Sequence, residues 1–306
     1  MALTRGIAPE LLEPWVKTIF FKKFKERARQ YESIFNVTGS TRAFEDDFEV
    51  AGLGAYTVKP EGVPLSYDNP VQGDRRRVIM LTFALGFRVT MEMMEDDQHG
   101  IISKMPSDLA DSAYYSMETL AFGVINDSFS GSTYTGLPEG DGTRRALVSA
   151  SHVYLRSPGS TWSNALTPAV ALSVSGIEAA ITMFRTQKNE EERYTVLTPK
   201  MLLANEALYW TAHKLLTGDK EAFTADNTAN IIAKEGLQVV TSPHITSTTA
   251  WWLFTRKEDH SLTFYNRKGL TFSESSDSDT FDKKYASHYR AAVCFAKGLG
   301  TVGSNA

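Results

Sequence analysis

The glycines near the carboxyl terminus match a spacing that binds dinucleotides. The segment reads Gly298-Leu-Gly-Thr-Val-Gly303 and follows an apolar, strand-like run. In a dinucleotide-binding fold, such glycines let the backbone approach the pyrophosphate at the start of a helix, and an acidic residue farther along binds the ribose. Only Ser304, Asn305 and Ala306 follow, so the sequence provides neither the helix nor the acidic residue. We therefore expect no cofactor at these glycines.

Side chains that bind metal ions or transfer protons are dispersed along the chain. No two histidines have the His-x-x-x-His spacing that places two ligands on one face of a helix. The acidic group Glu92, Glu95, Asp96 and Asp97 offers paired carboxylates for a cation or for acid–base chemistry. Because this group lies next to the predicted start of a helix, where negative charge offsets the helix dipole, we interpret it as surface charge and expect no metal site. The histidines are His99, His152, His213, His244, His260 and His288.

The single cysteine, Cys294, lies in the apolar run Ala291–Ala296. One cysteine excludes an internal disulfide and a cysteine-based zinc site, and the apolar surroundings predict a small, buried side chain. The sequence contains neither a P-loop nor a Gly-x-Ser-x-Gly motif. Nothing in it combines a nucleophile, a base and an oxyanion donor, so we expect no catalytic residues and no enzyme activity.

The composition is that of a soluble globular protein with enough apolar residues for a core. The chain has 306 residues, of which 42% are hydrophobic and 22% charged, and its net charge is −4. A dedicated nucleic-acid-binding protein is normally basic, so we expect any nucleic acid nearby to be enclosed without being tightly bound. No apolar run approaches the ~18 residues that span a bilayer. The amino terminus also lacks the features of a signal peptide, so we expect no membrane export.

A long hairpin between Phe48 and Thr90 is the strongest structural signal in the sequence. Two strand-like arms, 48–58 and 77–90, flank a tip that is rich in proline, glycine and asparagine. An arm of about twenty residues could reach ~60 Å, whereas a globule of this length has a radius of gyration of roughly 19 Å. Two strands alone are marginally stable in water, so we expect the hairpin to lie on another copy of the chain. This predicts an assembly subunit.

The hairpin and the amino-terminal helix carry the residues that we expect to contact another subunit. The segment 9–35 has apolar residues at helical spacing and lysines on its other faces, which is typical of an arm packed on a neighbour and, alternatively, of a helix on a membrane surface. An acidic block, 45–49, precedes the hairpin, and a basic block, 75–77, begins its far arm. These blocks either set register between subunits or are solvated surface charge. The predicted contact residues are Trp15, Phe20 and Phe24 in the arm, and Tyr56, Lys59, Tyr67, Arg75, Arg76 and Arg77 in the hairpin.

Downstream, a long helix precedes a domain that mixes helices and strands. Pro106 opens an apolar helical stripe that Gly131 ends, about 24 residues or ~36 Å long. Two further helices are predicted at 172–187 and 201–216. Strand-like segments alternate with them, which predicts an α+β or mixed α/β fold. These segments are 194–197, 237–242, 249–254 and 287–297.

Several segments together resemble tailed-bacteriophage major capsid proteins, especially the Mu-like major head subunit. The resemblance covers the chain from about residue 48 to its end, and departs at 143–145, which interrupt a shorter link, and at Val148, where an aromatic residue is frequent. The segments that carry it are Arg88–Gln98, Asp141–His152, Thr161-Trp-Ser-Asn164, Gly176–Arg185, Val196–Asn205 and Leu237–Pro243.

This resemblance implies the Hong Kong 97 type of α+β fold. The amino-terminal arm would span 1–47, the extended loop 48–90, a peripheral domain 91–165 with a spine helix 106–130, an axial domain 166–284, and a returning carboxyl-terminal strand 285–306. His152 would have a structural role. Some relatives crosslink a loop lysine to a neighbouring asparagine; Lys59 lies in the corresponding region, but no partner can be assigned.

The function implied is a shell subunit that assembles in the host cytoplasm and resides in the virion. Copies would form the hexamers and pentamers of an icosahedral shell around double-stranded DNA that is contacted weakly. Its partners would be a portal protein and a separate scaffolding protein, with a decoration protein as a further candidate, and no membrane and no cofactor would be involved. An encapsulin-like compartment that encloses cargo enzymes is the alternative, and a soluble enzyme with an unrecognised site is a third hypothesis.

Overall fold

The computed structural model describes residues 8–96, 101–218 and 230–306, so the predictions for Asp97 and His99 lie outside the described residues. No helix in these ranges is long and apolar enough to cross a bilayer. The helices are α1 (Ala8–Glu26), α2 (Tyr31–Ile34), α3 (Met91–Glu95), α4 (Ile101–Asn126), α5 (Val174–Thr186) and α6 (Tyr209–Thr217), with short 3-10 turns at Glu206–Leu208 and Ile232–Glu235. The strands are β1 (Asn36–Gly39), β2 (Phe44–Asp47), β3 (Val50–Ala51), β4 (Val71–Gln72), β5 (Arg76–Ile79), β6 (Leu81–Val89), β7 (His152–Val153), β8 (Thr161–Trp162), β9 (Met201–Asn205), β10 (Gln238–Ser242), β11 (Trp251–Phe254), β12 (Thr263–Ser276), β13 (Lys283–Cys294) and β14 (Thr301–Ser304).

Two four-stranded sheets form the body of the subunit. The first has the order β1-β12-β13-β6, in which β12 and β13 are a long antiparallel hairpin and β6 pairs antiparallel with β13 from Leu81 opposite Ala291 to Val89 opposite Lys283. The second has the order β10-β9-β11-β14. Helix α4 packs on the first sheet, and α5 and α6 pack on the second. The sequence prediction of an α+β architecture agrees with this arrangement.

The second sheet lies between two hydrophobic cores. Side chains alternate between the faces of a strand, so Trp252 and Phe254 of β11 enter the core around α4, whereas Trp251 and Leu253 enter the core around α5 and α6. Strand β9 divides its apolar side chains between the same two cores. Both strands are therefore continuously apolar, as strands buried on both faces are, and they join the two halves of the subunit into one body.

The long helix α4 differs in position from the predicted spine helix 106–130. It has 26 residues, or about 39 Å, and it starts five residues earlier than predicted, so Pro106 does not open the helix but lies inside it, where it cannot donate the usual backbone hydrogen bond. It ends at Asn126 because the next carboxylate, Asp127, accepts hydrogen bonds from the backbone of Ser132, Thr133 and Tyr134. These bonds fold the chain away from the helix axis.

The amino-terminal arm packs on the spine helix of its own subunit. Phe20 and Phe24 are buried in the core around α4. Arg27 forms an ion pair with Asp111 of α4 at 2.9 Å. Glu118 of α4 is fully buried, and its carboxylate accepts hydrogen bonds from the backbone N–H groups of Gln30 and Tyr31 at the start of α2. The apolar face of this arm, which the sequence analysis expected to pack on a neighbour, therefore packs on α4 of the same protomer.

We expect Phe20→Ala to lower the free energy of unfolding of the unassembled subunit by about 3–5 kcal/mol, because it leaves a cavity between α1 and α4. Trp15→Ala is the control on the same helix: Trp15 is 43% exposed, so its loss should cost less than about 1 kcal/mol. Urea unfolding followed by tryptophan fluorescence and circular dichroism measures both. Equal stability of the Phe20→Ala variant and the parent would mean that α1 does not dock on its own α4 in solution.

Candidate subunit-interaction surface

The predicted hairpin is present, but its paired part is shorter than expected. Strand β2 pairs with β5, and β3 pairs with β4. Between Ala51 and Val71 the described chain contains no strand. From here on, the name extended loop is used only for these unpaired residues, 52–70, which are the tip of the predicted segment 48–90. The far arm was expected to project as far as Thr90, whereas Leu81–Val89 is β6 and lies in the main sheet against β13. The paired residues are 194 (Val89 and Lys283) to 210 (Leu81 and Ala291) positions apart in sequence, so no local pattern reveals this pairing.

Large apolar side chains in the extended loop are open to solvent. Tyr56, Val58 and Tyr67 have relative exposures of 107%, 94% and 89%. Val63 and Leu65 are also exposed. A soluble subunit gains nothing from such a segment on its own, and contiguous exposed apolar groups generally mark an interaction site.

The acidic and basic blocks of the hairpin pair with each other across its strands. Asp46 stands opposite Arg77 and accepts two hydrogen bonds from its guanidinium at 2.8 and 2.9 Å. These bonds lower the pKa of Asp46. The same guanidinium lies 3.7 Å above the ring of Phe44. Arg76 pairs with Asp47 and donates to the carbonyl of Thr135. The blocks therefore bind the hairpin to itself and to the body, which neither interpretation of the sequence had anticipated.

The structure divides the nine predicted contact residues into two groups. Phe20, Phe24 and Arg76 are buried within their own protomer, so they present little surface to a second subunit, and for these three also the contact stays a prediction. The physical reason for their burial is that each has found an internal partner: the core around α4 for the two aromatic rings, and Asp47 for the arginine. The residues that remain exposed, and for which the contact stays a prediction, are Trp15, Tyr56, Lys59, Tyr67, Arg75 and Arg77.

Charged residues from distant parts of the chain hold the root of the extended loop, and the sequence did not single them out. Arg156 forms an ion pair with Asp68. Arg193 donates to the carbonyls of Leu53 and Gly54. Lys297 lies between the carboxylates of Glu49 and Glu190. Burial raises the pKa of Glu49. No spacing rule connects these residues, because the fold alone brings 156, 193 and 297 to the hairpin.

Cys294 is buried beneath the paired base of the hairpin, as predicted for a small apolar side chain. It packs with Val78, Met80 and Ala292, and its Sγ lies 3.8 Å from a carboxylate oxygen of Asp47. Burial raises the pKa of the Cys294 thiol to about 12. The thiol is therefore protonated and unreactive for as long as the hairpin base covers it.

His152 is part of a buried hydrogen-bonded cluster. Its Nδ1 lies 2.5 Å from a Glu139 carboxylate oxygen, and its Nε2 lies 3.1 Å from Oδ1 of Asn164. The amide nitrogen of Asn164 donates to the carbonyls of Leu147 and Gly298. Glu139 also pairs with Arg145. The side chains of the cluster are hydrogen-bonded to one another and to the backbone, which agrees with the structural role expected of His152.

The dinucleotide-like glycines are explained by close packing. A Cβ at Gly298 would overlap the Leu147 carbonyl and the side chains of Asn164 and His152. Gly300 has a φ of +76°, which favours glycine. Gly303 lies opposite Trp252 in the β11–β14 pair, where a Cβ would meet the indole ring. The spacing thus serves the turn before β14 and the contact of β14 with the core.

Neither of the remaining chemical motifs forms a site within the described residues. No group of three or more metal-ligating side chains occurs there. Glu92 lies in the first turn of α3, whose N-cap Thr90 accepts a hydrogen bond from the N–H of Met93. This position agrees with the interpretation of Glu92 as surface charge that offsets a helix dipole.

Comparisons with known proteins identify a family and a fold. A family model described as phage capsid protein matches residues 76–300. No curated protein matches the chain. Among solved structures, the capsid of a native GTA particle is similar with a TM-score of 0.57, 12% identity and coverage of 92% of this chain and 91% of that chain. The structure of Microbacterium phage Oxtober96 gives 0.56, 10% identity and 91% coverage of each chain. A virus-like particle from Pyrococcus furiosus gives 0.53, 8% identity and coverage of 94% of this chain and 97% of that one. At such low identity the similarity shows a shared fold, and the predicted capsid fold is confirmed.

We expect Gly298→Ala to destabilise the subunit by about 1–3 kcal/mol, because the added methyl group forces apart the segments that Asn164 holds together. Gly269→Ala is the matched control, since nothing lies within 4 Å of a Cβ at that position of β12. Thermal unfolding of both variants measures the difference. If the two substitutions cost the same, close packing is not the reason for a glycine at 298.

We expect the Cys294 thiol of the native subunit to react with iodoacetamide at pH 8 more than about 100-fold slower than in the urea-unfolded chain, because its raised pKa and burial suppress the thiolate. Mass spectrometry of the alkylated protein over time gives both rates. Similar rates in the two states would show that the hairpin base is not docked over β13.

Proposed function

The chain belongs to the phage capsid protein family, and on that premise we propose that it is the major capsid subunit of a tailed double-stranded DNA phage. Copies of it would form hexamers and pentamers that close into an icosahedral shell around the genome. The shell is the virion component in which the protein resides, and its assembly takes place in the host cytoplasm.

The observation that carries this proposal is the exposed extended loop on a rigid body. The body has its own continuous cores, so it needs no partner to fold. The extended loop, in contrast, leaves Tyr56, Val58 and Tyr67 almost completely in water. Such a loop gains stability only by covering the surface of another molecule, and in a shell of identical subunits that molecule is the next copy.

The energetic benefit of this contact grows with the number of copies. Apolar burial contributes about 25 cal/mol per Å², so a loop that covers a few hundred Å² of a neighbour adds a moderate amount per subunit, which association entropy reduces. In a closed shell every subunit both gives and receives such a contact. Weak individual contacts therefore produce a stable particle that can still correct errors during growth.

The charge of the chain fits a container rather than a nucleic-acid-binding protein. The net charge is −4, and the arginines of the hairpin base are paired with Asp46 and Asp47. Packaged DNA would meet a surface that holds it weakly and without sequence preference. In this proposal the chain also contacts a portal protein and a scaffolding protein during assembly and a decoration protein afterwards.

A compartment that encloses cargo enzymes is the second candidate, because a virus-like particle from Pyrococcus furiosus has the same fold. The phage capsid family match favours the genome container. The contents of particles isolated from producing cells separate the two: a phage capsid contains double-stranded DNA protected from nuclease, whereas a cargo compartment contains a co-purifying enzyme.

We expect replacement of residues 58–65 by Gly-Gly to abolish shell formation while the subunit keeps its fold. The hydroxyl oxygens of Thr57 and Ser66 lie 3.3 Å apart, so a short link can join the two arms without strain. Particle yield is measured by electron microscopy and sedimentation, and subunit stability by thermal unfolding. We expect fewer than about a tenth of the parental particles, because the apolar tip that covers the neighbour is gone.

In a second variant, residues 58–65 are replaced by eight alternating glycines and serines. This variant keeps the length of the loop but lacks its apolar side chains, so it shows which of the two properties assembly requires. It should also assemble poorly, since Val58, Val63 and Leu65 are missing. Parental yield and heat resistance in the shortened variant would contradict the proposed role of the loop.

A further inference from the structure

The extended loop leaves the body through a narrow root where one side chain contacts both of its arms. Arg156 follows β7 and belongs to the body. Its Nη1 donates to the carbonyl of Gly52 at 2.8 Å on the outgoing arm and to the carbonyl of Asn69 at 3.3 Å on the returning arm. Its Nη2 pairs with the carboxylate of Asp68 on the returning arm.

Asp68, on the returning arm, also binds the outgoing arm. The same carboxylate oxygen that meets Arg156 accepts a hydrogen bond from the backbone N–H of Gly54 at 2.7 Å. Hydrogen bonding to Arg156, followed by the bond from Gly54, lowers the pKa of Asp68. One guanidinium and one carboxylate therefore tie 52–54 to 68–69 at the level where strand pairing has ended.

Other residues of the body also bind the outgoing arm. Glu191 accepts a hydrogen bond from the backbone N–H of Gly52. Arg193 donates to the Gly54 carbonyl at 2.8 Å. The neighbouring Glu190 accepts from the backbone N–H of Leu155 and pairs with Lys297, which joins this turn to the segment that carries Arg156.

We propose that Arg156 is a positioning residue that fixes the direction of the extended loop in the free subunit, before a neighbour is contacted. Past the root, the loop is held together by little more than the Thr57–Ser66 contact and one turn from Val63 to Pro60 among the described residues. The direction of the loop is therefore set at its root, where Arg156 binds both arms. The planar guanidinium reaches acceptors on both arms at once, which an ammonium group does not reproduce.

This inference rests on the proposed function. It explains how the weak contact between the extended loop and a neighbouring subunit can form at a smaller cost in conformational entropy. A loop that swings freely loses conformational entropy when it docks on a neighbour, whereas a loop whose root is already fixed loses less. Arg156 makes no contact with the neighbour in this mechanism. It raises the fraction of subunits whose loop already points along the docking direction.

The test compares Arg156→Gln and Arg156→Lys with the parent chain. Arg256→Gln is the matched control, because Arg256 is exposed and its side chain has no ion pair within the described part of the chain. Three measurements are made: thermal unfolding, amide hydrogen exchange of the peptide that contains Gly52 and Gly54 in the unassembled subunit, and the rate of particle formation by light scattering.

We expect Arg156→Gln to unfold within a few degrees of the parent, to exchange the Gly52 and Gly54 amides roughly tenfold faster, and to assemble roughly tenfold more slowly, the size expected from loss of a charge-assisted hydrogen bond at a docking element. The exchange and assembly rates of Arg156→Lys should lie between those of Arg156→Gln and the parent. Arg256→Gln should match the parent in unfolding temperature, amide exchange and assembly rate. A merely structural role would lower the unfolding temperature without a selective change in exchange at 52–54.

Asp68→Asn serves as an independent variant if Arg156→Gln fails to fold, since Asp68 is 45% exposed on the loop side. It should produce the same faster exchange and slower assembly. Unchanged exchange in a folded Arg156 or Asp68 variant overturns the inference, and so does faster exchange with an unchanged assembly rate. Failure of the parent chain itself to form particles counts against the proposed function, while the exchange measurement still decides whether Arg156 fixes the loop.

Discussion

The burial of one strand on both of its faces is the constraint on which the subunit depends. Trp251 and Trp252 are adjacent in β11 and point to opposite sides of the second sheet, so each fills a different core. Glycine at 303 is required beside Trp252, and the indole N–H of Trp252 donates to Ser128 just past the end of α4. The long helix, the second sheet and the carboxyl-terminal strand are thereby held as one body. A loop that projects into solvent is tolerable because this body is stable without it.

The hairpin is attached to that body in successive steps along its length. Strand β6 pairs with β13 over its whole length, β2 and β5 pair through the Asp46–Arg77 and Asp47–Arg76 rungs, and Arg156 closes the root of the extended loop. Strand pairing therefore becomes sparser from the sheet outward, and residues 52–70 contain no strand. In the proposed role, this arrangement would let the tip adapt to a neighbour while the root keeps its direction.

Several expectations from the sequence agree with the structure for clear physical reasons. The apolar stripe from Leu109 to Ile125 is long and regular and predicted the spine helix. The helix begins earlier than predicted, at Ile101, and it ends at Asn126 because Asp127 accepts hydrogen bonds from the backbone of the following turn. Cys294 was expected inside because its neighbours are apolar. The glycine spacing at 298–303 was set aside as a cofactor motif, and its glycines instead allow close packing. The helix end is decided by a local interaction and the burial of Cys294 by its apolar neighbours in sequence, whereas the close packing at Gly298 involves residues such as Asn164, 134 positions away.

By itself, the sequence predicted the helices α1, α4 and α5, the existence of the hairpin and the resemblance to capsid proteins, because these depend on periodicity, turn residues and ordered motifs that are read along the chain. The helix predicted over 201–216 is wrong for its first residues: Met201–Asn205 is strand β9 and α6 begins at Tyr209, since a short apolar run fits a buried strand as well as a helix. Only the tertiary structure decided where amphipathic faces go. Phe20 and Phe24 pack on their own α4, Leu81–Val89 joins β13, and Arg156 meets Asp68 across 88 positions of sequence. An apolar or charged side chain specifies the kind of partner it requires but not which one, and the choice among equivalent partners is made when the whole chain closes around its cores.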